Sequence, residues 1–596
     1  MQSGNHYDVV IIGAGLAGLA LSRQLLLYSD KKILLVDKRT EIPPKKQKVG
    51  EATVQLSAYY FSKVLDLEEH LLREHFIKYN LRFYWKNIER DNRNFEDYSQ
   101  AFIRTLSNIA SYQLDRNKIE GEMLRLNLES SNFVFYAPVT NLDVRLSNEG
   151  PHSVSFKASN VNLALEAEWV IDTSGRGKFL ARKNALLKEN PIRHGASWFW
   201  VEGLVNIEKL TDRSPQEIRL KRDRAATGHL PIWLATNHFC GEGFWFWVIP
   251  LQGKTSLGLV YDNNLIPHEC VSTPQKLIEW VCREFPLFQR DLPHRKILDH
   301  SSFKDFSYDC AQTISQSRWA LAGEAGRFTD PLYSPGGDLI SIYNTLITDA
   351  ILTENAEALT AKCRLYEQLM EAVYEAYVPS YAVSYDVLGD QEAMTLKYSW
   401  ELAIYFSFYV FPFINDLFTD SRFVLSFLNR FSRLGPINRG LQSFISSYYR
   451  WKNSERGPAS GPIFNDFTEI GPLQAAEKSF YLVGVSVDEA RRVLDLQFAN
   501  LKEMARFIVT HIISVVLGDE RVLTNRPFIE GINLDRLRFY PDEMRERYSR
   551  CADSTSRHEW SFDPCVLSRF VTEPRQDGAG RAAAERGGPL WTTTHP

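Results

Sequence analysis

The sequence predicts an α/β fold with three parts: a parallel sheet near the N-terminus, a second sheet inserted into it, and a helical C-terminal domain. Residues 6–12 form an apolar run that leads into a glycine-rich turn and an apolar helical stretch, the pattern of a parallel β-α unit. Residues 195–300 are rich in short aromatic and β-branched runs, which favour strands. From residue 346 onward, long amphipathic runs favour helices.

The first strand and the turn after it have the spacing of a dinucleotide-binding site. The apolar run is followed directly by Gly-Ala-Gly-Leu-Ala-Gly. Gly13 would make the tight turn, Gly15 would admit a pyrophosphate, and Gly18 would let helix and strand pack closely. The next strand ends at Asp37, whose carboxylate can accept hydrogen bonds from ribose hydroxyls. This is a complete Rossmann fingerprint, so we predict that the chain binds a dinucleotide.

Three later segments narrow the choice of dinucleotide. They read Tyr-Gln-Leu-Asp-Arg at 112–116, Trp-Val-Ile-Asp-Thr-Ser-Gly at 169–175, and Gly-Glu-Ala at 323–325. The first resembles the segment of FAD-dependent monooxygenases and halogenases that carries an arginine near the flavin ribityl chain. The other two resemble the Asp-x-Ser-Gly turn and the Gly-Asp-Ala motif of the same superfamily. The resemblance implies FAD, held in a Rossmann-type domain like that of p-hydroxybenzoate hydroxylase.

The stretch Trp-Phe-Trp-Val-Ile-Pro at 245–250 is the most specific pattern in the chain. Its period of two predicts a strand that sends both indoles to one face. Together with Gly-Glu-Ala-Thr at 50–53 and Phe-Thr-Asp-Pro-Leu-Tyr-Ser-Pro-Gly at 328–336, it resembles the flavin-dependent halogenases, in which these indoles keep the substrate away from the flavin.

The residues that we assign to FAD are Gly13, Ala14, Gly15, Gly18, Asp37, Lys38, Gly50, Glu51, Ala52, Arg116, Asp172, Gly175, Gly323 and Glu324.

Lys78 lies in an aromatic stretch that reads Phe-Ile-Lys-Tyr-Asn-Leu-Arg-Phe-Tyr-Trp. An ammonium group among aromatic and apolar side chains is partly desolvated, which lowers its pKa. The resemblance maps the essential lysine of the halogenases onto this position, where it would donate a hydrogen bond to hypohalous acid or react with it as an amine. From the local sequence alone, a solvated lysine is the more common alternative. The catalytic residues that we predict are Lys78, Trp245, Trp247 and Ser334.

Two positions depart from the halogenase pattern. Tyr333 stands where the tryptophan halogenases have a glutamate, which favours phenols, pyrroles or carrier-bound aryl groups over free tryptophan as substrates. Pro335 has no N–H to offer to a halide ion. The amides of Gly336 and Gly337 can replace it, because glycine permits turns that point successive donors inward. We therefore place the halide at the segment formed by Pro335, Gly336 and Gly337.

The resemblance implies a halogenase that uses FADH2 and O2 to halogenate an electron-rich aromatic substrate, either free or bound to a carrier protein, in secondary metabolism. No second glycine fingerprint follows a strand, so we expect a separate NAD(P)H-dependent reductase to supply the reduced flavin. Two alternatives stay open. The first is an FAD-dependent monooxygenase or oxidoreductase that uses the same scaffold without halide, and the second is a flavin-binding protein without turnover.

The composition excludes several other classes. The net charge of −4 over 596 residues is not that of a generic nucleic-acid binder. Seven cysteines without a Cys-x-x-Cys pair indicate neither a metal site nor a disulfide framework. The polar start of the chain contains no signal peptide, so we expect a cytoplasmic protein. The most apolar stretch, residues 400–414, contains an acid and a proline and is too short to span a bilayer, which predicts a buried helix.

The predicted domain order follows from these assignments. The helical domain is expected to cover the substrate side, and its main helices are predicted at 358–377, 421–431 and 487–517. The C-terminal tail is rich in Gly, Ala and Arg and is predicted to be disordered. The parts are the first portion of the FAD domain at 1–194, the substrate-facing sheet at 195–300, the return segment of the FAD domain at 301–345, the helical domain at 346–565 and the tail at 573–596.

Overall fold

The computed structural model describes residues 6–214, 216–217, 231–456 and 461–570. These residues form two eight-stranded sheets, followed by a region built almost entirely of helices. The predicted mixed α/β fold is therefore confirmed. The tail predicted at 573–596 lies outside the described residues.

The first sheet is built around the strand predicted at the N-terminus. His6–Ile12 pairs in parallel with Ile33–Val36 on one side and with Val161–Asp172 on the other. Its apolar residues are buried because helices and a hairpin cover both faces, which is why the run is continuous and does not alternate. The strand order is Ile314–Ser315, Trp319–Leu321, Val161–Asp172, His6–Ile12, Ile33–Val36 and Phe133–Tyr136. His152–Ala158 also pairs with Val161–Asp172, and Val139–Arg145 pairs with His152–Ala158.

The second sheet is mainly antiparallel and extends beyond the predicted region 195–300. Three of its strands come from elsewhere in the chain, because strands pair with partners that are close in space and not in sequence. Those three strands are Leu81–Trp85, Ser99–Phe102 and Phe464–Asn465. The full order is Ile297–Phe303, His194–Glu202, Lys254–Asp262, Phe244–Leu251, Thr236–Gly241, Leu81–Trp85, Ser99–Phe102 and Phe464–Asn465.

The strand Phe244–Leu251 has the alternation that its sequence predicts. Trp245 and Trp247 lie in the core that faces the first sheet and the helical region, whereas Phe246 lies in the separate core on the other face. The two indole rings are 5.6 Å apart between centroids. Gly258 stands opposite Trp247, where a Cβ atom would lie 2.3 Å from the indole ring. The missing side chain at Gly258 therefore makes room for Trp247.

The helices support both sheets and form the C-terminal region. The apolar stretch 400–414 is buried and helical, as predicted: Gln391–Tyr405 continues through a π-helical turn at Phe406–Val410. No helix in the described ranges is long and apolar enough to cross a membrane. The α-helices are Leu16–Tyr28, Gln55–Tyr59, Glu68–Glu74, Arg116–Leu128, Phe179–Lys183, Pro274–Glu284, Pro335–Ile351, Ala356–Ala382, Gln391–Tyr405, Phe411–Ile414, Ser421–Glu455, Gly471–Ser479, Val487–Leu517, Arg526–Glu530 and Pro541–Ser549.

Candidate active site

Two neighbouring cavities lie where the sheets and the helical region meet. The tryptophan cavity is lined by Trp245 and Trp247 together with the predicted flavin and halide segments. The lysine cavity is lined by Lys78 and has a volume of about 320 Å³, which is within the range of about 300–1,000 Å³ for small-molecule sites. Tyr333 lines the lysine cavity and the next residue, Ser334, lines the tryptophan cavity, so this dipeptide separates the two spaces.

The glycine turn has the geometry of a dinucleotide cradle. Gly13 has a φ of +110°, a conformation that residues with side chains rarely adopt. A Cβ atom on Gly18 would lie 2.1 Å from the carbonyl oxygen of Gly13, so the close approach of helix and strand requires glycine. A Cβ on Gly15 would meet nothing within 4 Å, which leaves its backbone open to a phosphate. The turn therefore fits a pyrophosphate at the start of helix Leu16–Tyr28.

Asp37 is already engaged by protein donors. Its Oδ2 accepts a hydrogen bond from the Ala14 N–H at 2.7 Å, and Arg39 donates to both carboxylate oxygens. Burial acts to raise the pKa of this carboxylate, but the hydrogen bonds from Arg39 outweigh burial and hold the pKa below its usual value. Lys38 is exposed at the surface. A ribose at this strand end would thus share Asp37 with Arg39, which our sequence analysis did not include.

Glu324 lies among cations that face the tryptophan cavity. Burial raises the pKa of its carboxyl group, while Arg176, Arg116 and Lys178 oppose that shift. The guanidinium of Arg116 is fixed by a 2.7 Å hydrogen bond to the Val49 carbonyl and by Glu120. Sequence reasoning missed Arg176, although it directly follows the Asp-x-Ser-Gly turn. A basic residue at that position is the signal that could have indicated it.

Two of the residues assigned to FAD shape the turn after strand Val161–Asp172 and do not line the tryptophan cavity. The Asp172 carboxylate accepts hydrogen bonds from the backbone N–H groups of Ser174 at 2.8 Å and Leu180 at 2.6 Å. Gly175 has a φ of +58° and begins the short 3-10 turn that carries Arg176 into the cavity. Both residues therefore position Arg176, a cation that lines the tryptophan cavity.

Glu51 connects the Gly-Glu-Ala segment to the tryptophan strand. Its carboxylate is buried and accepts hydrogen bonds from the Trp200 indole at 2.6 Å and from the Ser256 hydroxyl. The Trp247 indole donates to the same hydroxyl at 3.1 Å. Burial raises the pKa of Glu51 to about 7. Gly50, Ala52 and Gly323 line the tryptophan cavity, and Gly323 has a φ of +61°. Trp200 and Ser256 were not predicted as site residues.

The predicted halide segment begins a helix. Tyr333 and Ser334 adopt left-handed φ values of +69° and +61°, and helix Pro335–Ile351 starts directly after them. The first N–H groups of a helix have no partners within the helix. Pro335 takes the first position and lacks this group, whereas Gly336 and Gly337 line the tryptophan cavity. The segment therefore presents backbone donors beside Trp245 and Trp247 at the positive end of a helix dipole.

Lys78 is deeply buried in the lysine cavity. It ends strand Phe76–Lys78, which pairs with Ser111–Gln113, and its residue surface is 5 % exposed. Within the part of the chain that the structure describes, its Nζ atom has no hydrogen-bond partner. Burial lowers the pKa of Lys78 to about 7, and the negative charge of Asp338 counteracts part of that effect. The aromatic walls of the cavity are formed by Tyr333, Tyr377, Tyr381, Tyr398, Tyr405, Phe406 and Tyr409.

Known proteins with similar sequences are halogenases. No protein-family model matches the chain. The flavin-dependent halogenase chlA of Dictyostelium discoideum is 25% identical over 456 residues, which cover 70% of this chain and 73% of the relative. A 1H-pyrrole-2-carbonyl-[peptidyl-carrier protein] chlorinase of Pseudomonas fluorescens is 23% identical over 351 residues, which cover 56% and 73% of the two chains. These relatives support the flavin-dependent halogenase family for this chain.

A solved structure confirms the fold of this halogenase. Halogenase PltM in complex with phloroglucinol and FAD superimposes with a TM-score of 0.57, at 15% identity, over 84% of this chain and 96% of PltM. The flavin-dependent halogenases use FAD with halide and O2, and the glycine turn, Arg116 and Glu324 around the tryptophan cavity fit that cofactor. The relatives thus support an FAD-dependent halogenase, and the tryptophan and lysine cavities of this chain are lined by different residues.

Proposed function

We propose that this halogenase forms hypohalous acid in the tryptophan cavity and uses it at Lys78 to halogenate an electron-rich aromatic carbon. Bound FADH2, with O2, supplies the oxidising equivalent. The observation that carries the proposal is the Lys78 amine, which lies buried and without a hydrogen-bond partner among the described residues in a cavity next to the tryptophan cavity. A buried amine without a partner is costly for folding, which argues for a role in binding or catalysis.

The halide site in this proposal consists of backbone groups. The N–H groups of Gly336 and Gly337 begin a 17-residue helix, and Ser334 stands directly before it beside Trp245 and Trp247. Halide bound there would be oxidised without contact with the aromatic substrate, because Tyr333 and Ser334 separate the two cavities. The missing N–H of Pro335 weakens this donor set and keeps a halide-independent monooxygenase as the second candidate.

Lys78 acts in this scheme as an amine. Its lowered pKa leaves much of the side chain uncharged near neutral pH, and only the uncharged form has a lone pair for the electrophilic halogen. Reaction with hypohalous acid breaks the O–X bond, forms an N–X bond and releases water. Transfer of the halogen from nitrogen to an aromatic carbon, with loss of the ring proton, returns the amine. The lysine thus holds the oxidant inside the substrate cavity.

The pH dependence tests this role of Lys78. In the wild type, we expect the fraction of oxidant that reaches the substrate to rise with pH through about 7, as Lys78 loses its proton. Asp338→Asn removes the negative charge that raises the pKa of Lys78, while its remaining carbonyl oxygen can still accept the Ser57 N–H hydrogen bond. Burial raises the pKa of Asp338 itself to about 7, so only part of its charge is present near the midpoint. The midpoint should therefore move toward lower pH by less than a full charge would cause. An unchanged or more alkaline midpoint in single-turnover profiles of the variant would contradict an amine mechanism.

The site and the relatives both support a proposal for the substrate class. Tyr333 replaces the glutamate of tryptophan halogenases, and the walls of the lysine cavity are aromatic. The relatives include a pyrrole-carrier chlorinase, and the PltM structure contains phloroglucinol. We propose an electron-rich phenol or pyrrole, free or carrier-bound, as the substrate. A separate NAD(P)H-dependent flavin reductase is the proposed source of FADH2.

A product assay decides between the two candidate functions. The protein is supplied with FADH2 by an NADH-dependent flavin reductase, in air, with bromide and with resorcinol or pyrrole-2-carboxamide. Methionine is added to consume hypobromous acid that leaves the protein. We expect brominated products, by mass spectrometry, only when bromide and FADH2 are both present. Oxygenated products that form equally well without bromide would establish the monooxygenase instead.

A further inference from the structure

We propose that Glu401 binds the hydroxyl group of a phenolic substrate in the lysine cavity and so directs the ring carbon that faces Lys78. This inference rests on the proposed function and names the substrate class and the orienting residue. Glu401 belongs to helix Gln391–Tyr405, in the C-terminal region to which no catalytic role was assigned from the sequence. It lines the lysine cavity together with the tyrosine walls.

The two oxygens of the Glu401 carboxylate have different surroundings. Oε1 accepts hydrogen bonds from Lys397 and from the Gln442 amide at 2.9 Å. Oε2 is buried and has no partner in the described residues. A buried carboxylate oxygen without a donor costs free energy, so its persistence calls for an explanation beyond packing. A substrate hydroxyl in the cavity would supply the missing donor.

The neighbouring groups hold Glu401 in place and do not compete for Oε2. Lys397 is fully buried and also donates to the Ser380 carbonyl at 2.8 Å and the Ser384 hydroxyl at 3.0 Å. Gln442 is fully buried as well. Lys397 and Gln442 both donate to Oε1. Oε2 is therefore the oxygen that remains available to a substrate in the cavity. The carboxylate is thus preorganised as a hydrogen-bond acceptor.

Glu401 and Lys78 both line the lysine cavity. The charge of Glu401 influences Tyr333, Tyr381 and Tyr398, and the charge of Asp338 influences Lys78 and Tyr381. An aromatic ring between them would have its hydroxyl at the carboxylate and another ring position at the lysine. The ring carbon that is halogenated is then the one that lies next to Lys78 when the hydroxyl group is bound to Glu401.

A hydrogen bond from a phenol to a carboxylate also activates the ring. Partial transfer of the hydroxyl proton toward Glu401 raises the electron density at the ortho and para carbons, which are the positions that attack an electrophilic halogen. In the overall step a C–X bond forms and the O–X bond of hypohalous acid breaks. The ring proton leaves with the released hydroxide as water, and the hydroxyl proton returns from Glu401 to the phenol oxygen.

Glu401→Gln tests the inference, and Glu477→Gln is the matched control. Glu477 lines the same cavity, but its carboxylate already has the Tyr481 hydroxyl as a partner at 3.2 Å. The binding probe is 4-nitrophenol, whose absorbance reports its ionisation. A carboxylate beside the hydroxyl disfavours the phenolate, so we expect the pKa of bound nitrophenol to fall by about one unit in Glu401→Gln and to stay unchanged in Glu477→Gln.

A second readout uses the reaction itself. We expect Glu401→Gln to raise the KM for resorcinol about tenfold. The affinity for 1,3-dimethoxybenzene should stay at its weak wild-type value, because this compound has no hydroxyl group to donate. If Glu401→Gln fails to fold, the double variant Lys397→Met/Glu401→Gln removes both charges of the buried pair and takes its place.

The outcomes separate this inference from the proposed function. Equal nitrophenol pKa values and equal KM values for resorcinol in Glu401→Gln, Glu477→Gln and the wild type would overturn the role of Glu401, even if all three proteins brominate resorcinol. Absence of bromination in the wild type would overturn the proposed function. The nitrophenol measurement, which needs no turnover, would then still support or overturn the phenol site.

Discussion

Replacement of Lys78 by methionine should reduce the halogenation of resorcinol at least about 100-fold while flavin binding stays intact. The reason is that the buried amine is the group that would hold the oxidant in the lysine cavity, whereas the segments predicted to bind flavin line the tryptophan cavity. Loss of a nucleophilic group commonly costs two or more orders of magnitude in rate. The measurement is the rate of bromoresorcinol formation with methionine present, together with FAD titration of the same variant.

The matched control is Lys86→Met. Lys86 is a partly exposed lysine just after strand Leu81–Trp85, and it pairs with Glu284 at the surface. This control variant should halogenate at the wild-type rate. Lys78→Met should also fold at least as stably as the wild type below pH 7, because the methionine removes a buried charge whose pKa burial has lowered. A Lys78→Met protein that brominates resorcinol as fast as the wild type would show that the lysine has no catalytic role.

Substitution of Gly18 by alanine should weaken FAD binding about 100-fold. The new Cβ would lie 2.1 Å from the Gly13 carbonyl oxygen and 2.5 Å from the Thr173 hydroxyl. Because the first contact is a backbone atom, helix Leu16–Tyr28 must move away from the strand and distort the turn. Overpacking of this kind costs about 1–3 kcal/mol, and a cost of about 2.7 kcal/mol corresponds to a factor of about 100 in affinity. Flavin fluorescence quenching measures the Kd directly.

A suitable control for this variant is Gly121→Ala. Gly121 also lies in a helix, Arg116–Leu128, but its Cβ would meet Pro43 at 3.7 Å, an ordinary contact. The control should bind FAD as the wild type does and should be slightly more stable, since alanine favours helix. Wild-type affinity for FAD in Gly18→Ala, with normal far-ultraviolet circular dichroism, would contradict the placement of the dinucleotide at this turn.

Features with a local sequence signal were predictable. The glycine turn depends on steric limits within a few residues, and the structure shows those limits at Gly13 and Gly18. The period of two in Trp245 and Trp247 correctly places both indoles on one face of a strand. The predicted helix at 487–517 has the bounds that the structure gives, Val487–Leu517, because a capping box begins it and Gly518 ends it.

Features that depend on distant partners were not predictable. Trp200 and Ser256 reach Glu51 across 149 and 205 residues of sequence, and no local pattern marks that network. Strands such as Leu81–Trp85 join the second sheet through tertiary pairing. The acid at position 401 was visible in an apolar helix, but its unpartnered oxygen depends on Lys397 and Gln442 in the folded chain. Burial and partner geometry, which decide such sites, exist only after folding.

One measurement tests the central claim, that hypohalous acid forms in one cavity and is used at Lys78 in the other. Enzyme loaded with FADH2 is mixed with O2, bromide, resorcinol and methionine for a single turnover, and bromoresorcinol and methionine sulfoxide are quantified. The account predicts mainly bromoresorcinol from the wild type. From Lys78→Met it predicts the same total of oxidised products, now mainly as methionine sulfoxide, and neither product above background without bromide. An unchanged share of bromoresorcinol in the variant, or sulfoxide that forms equally without bromide, would contradict it.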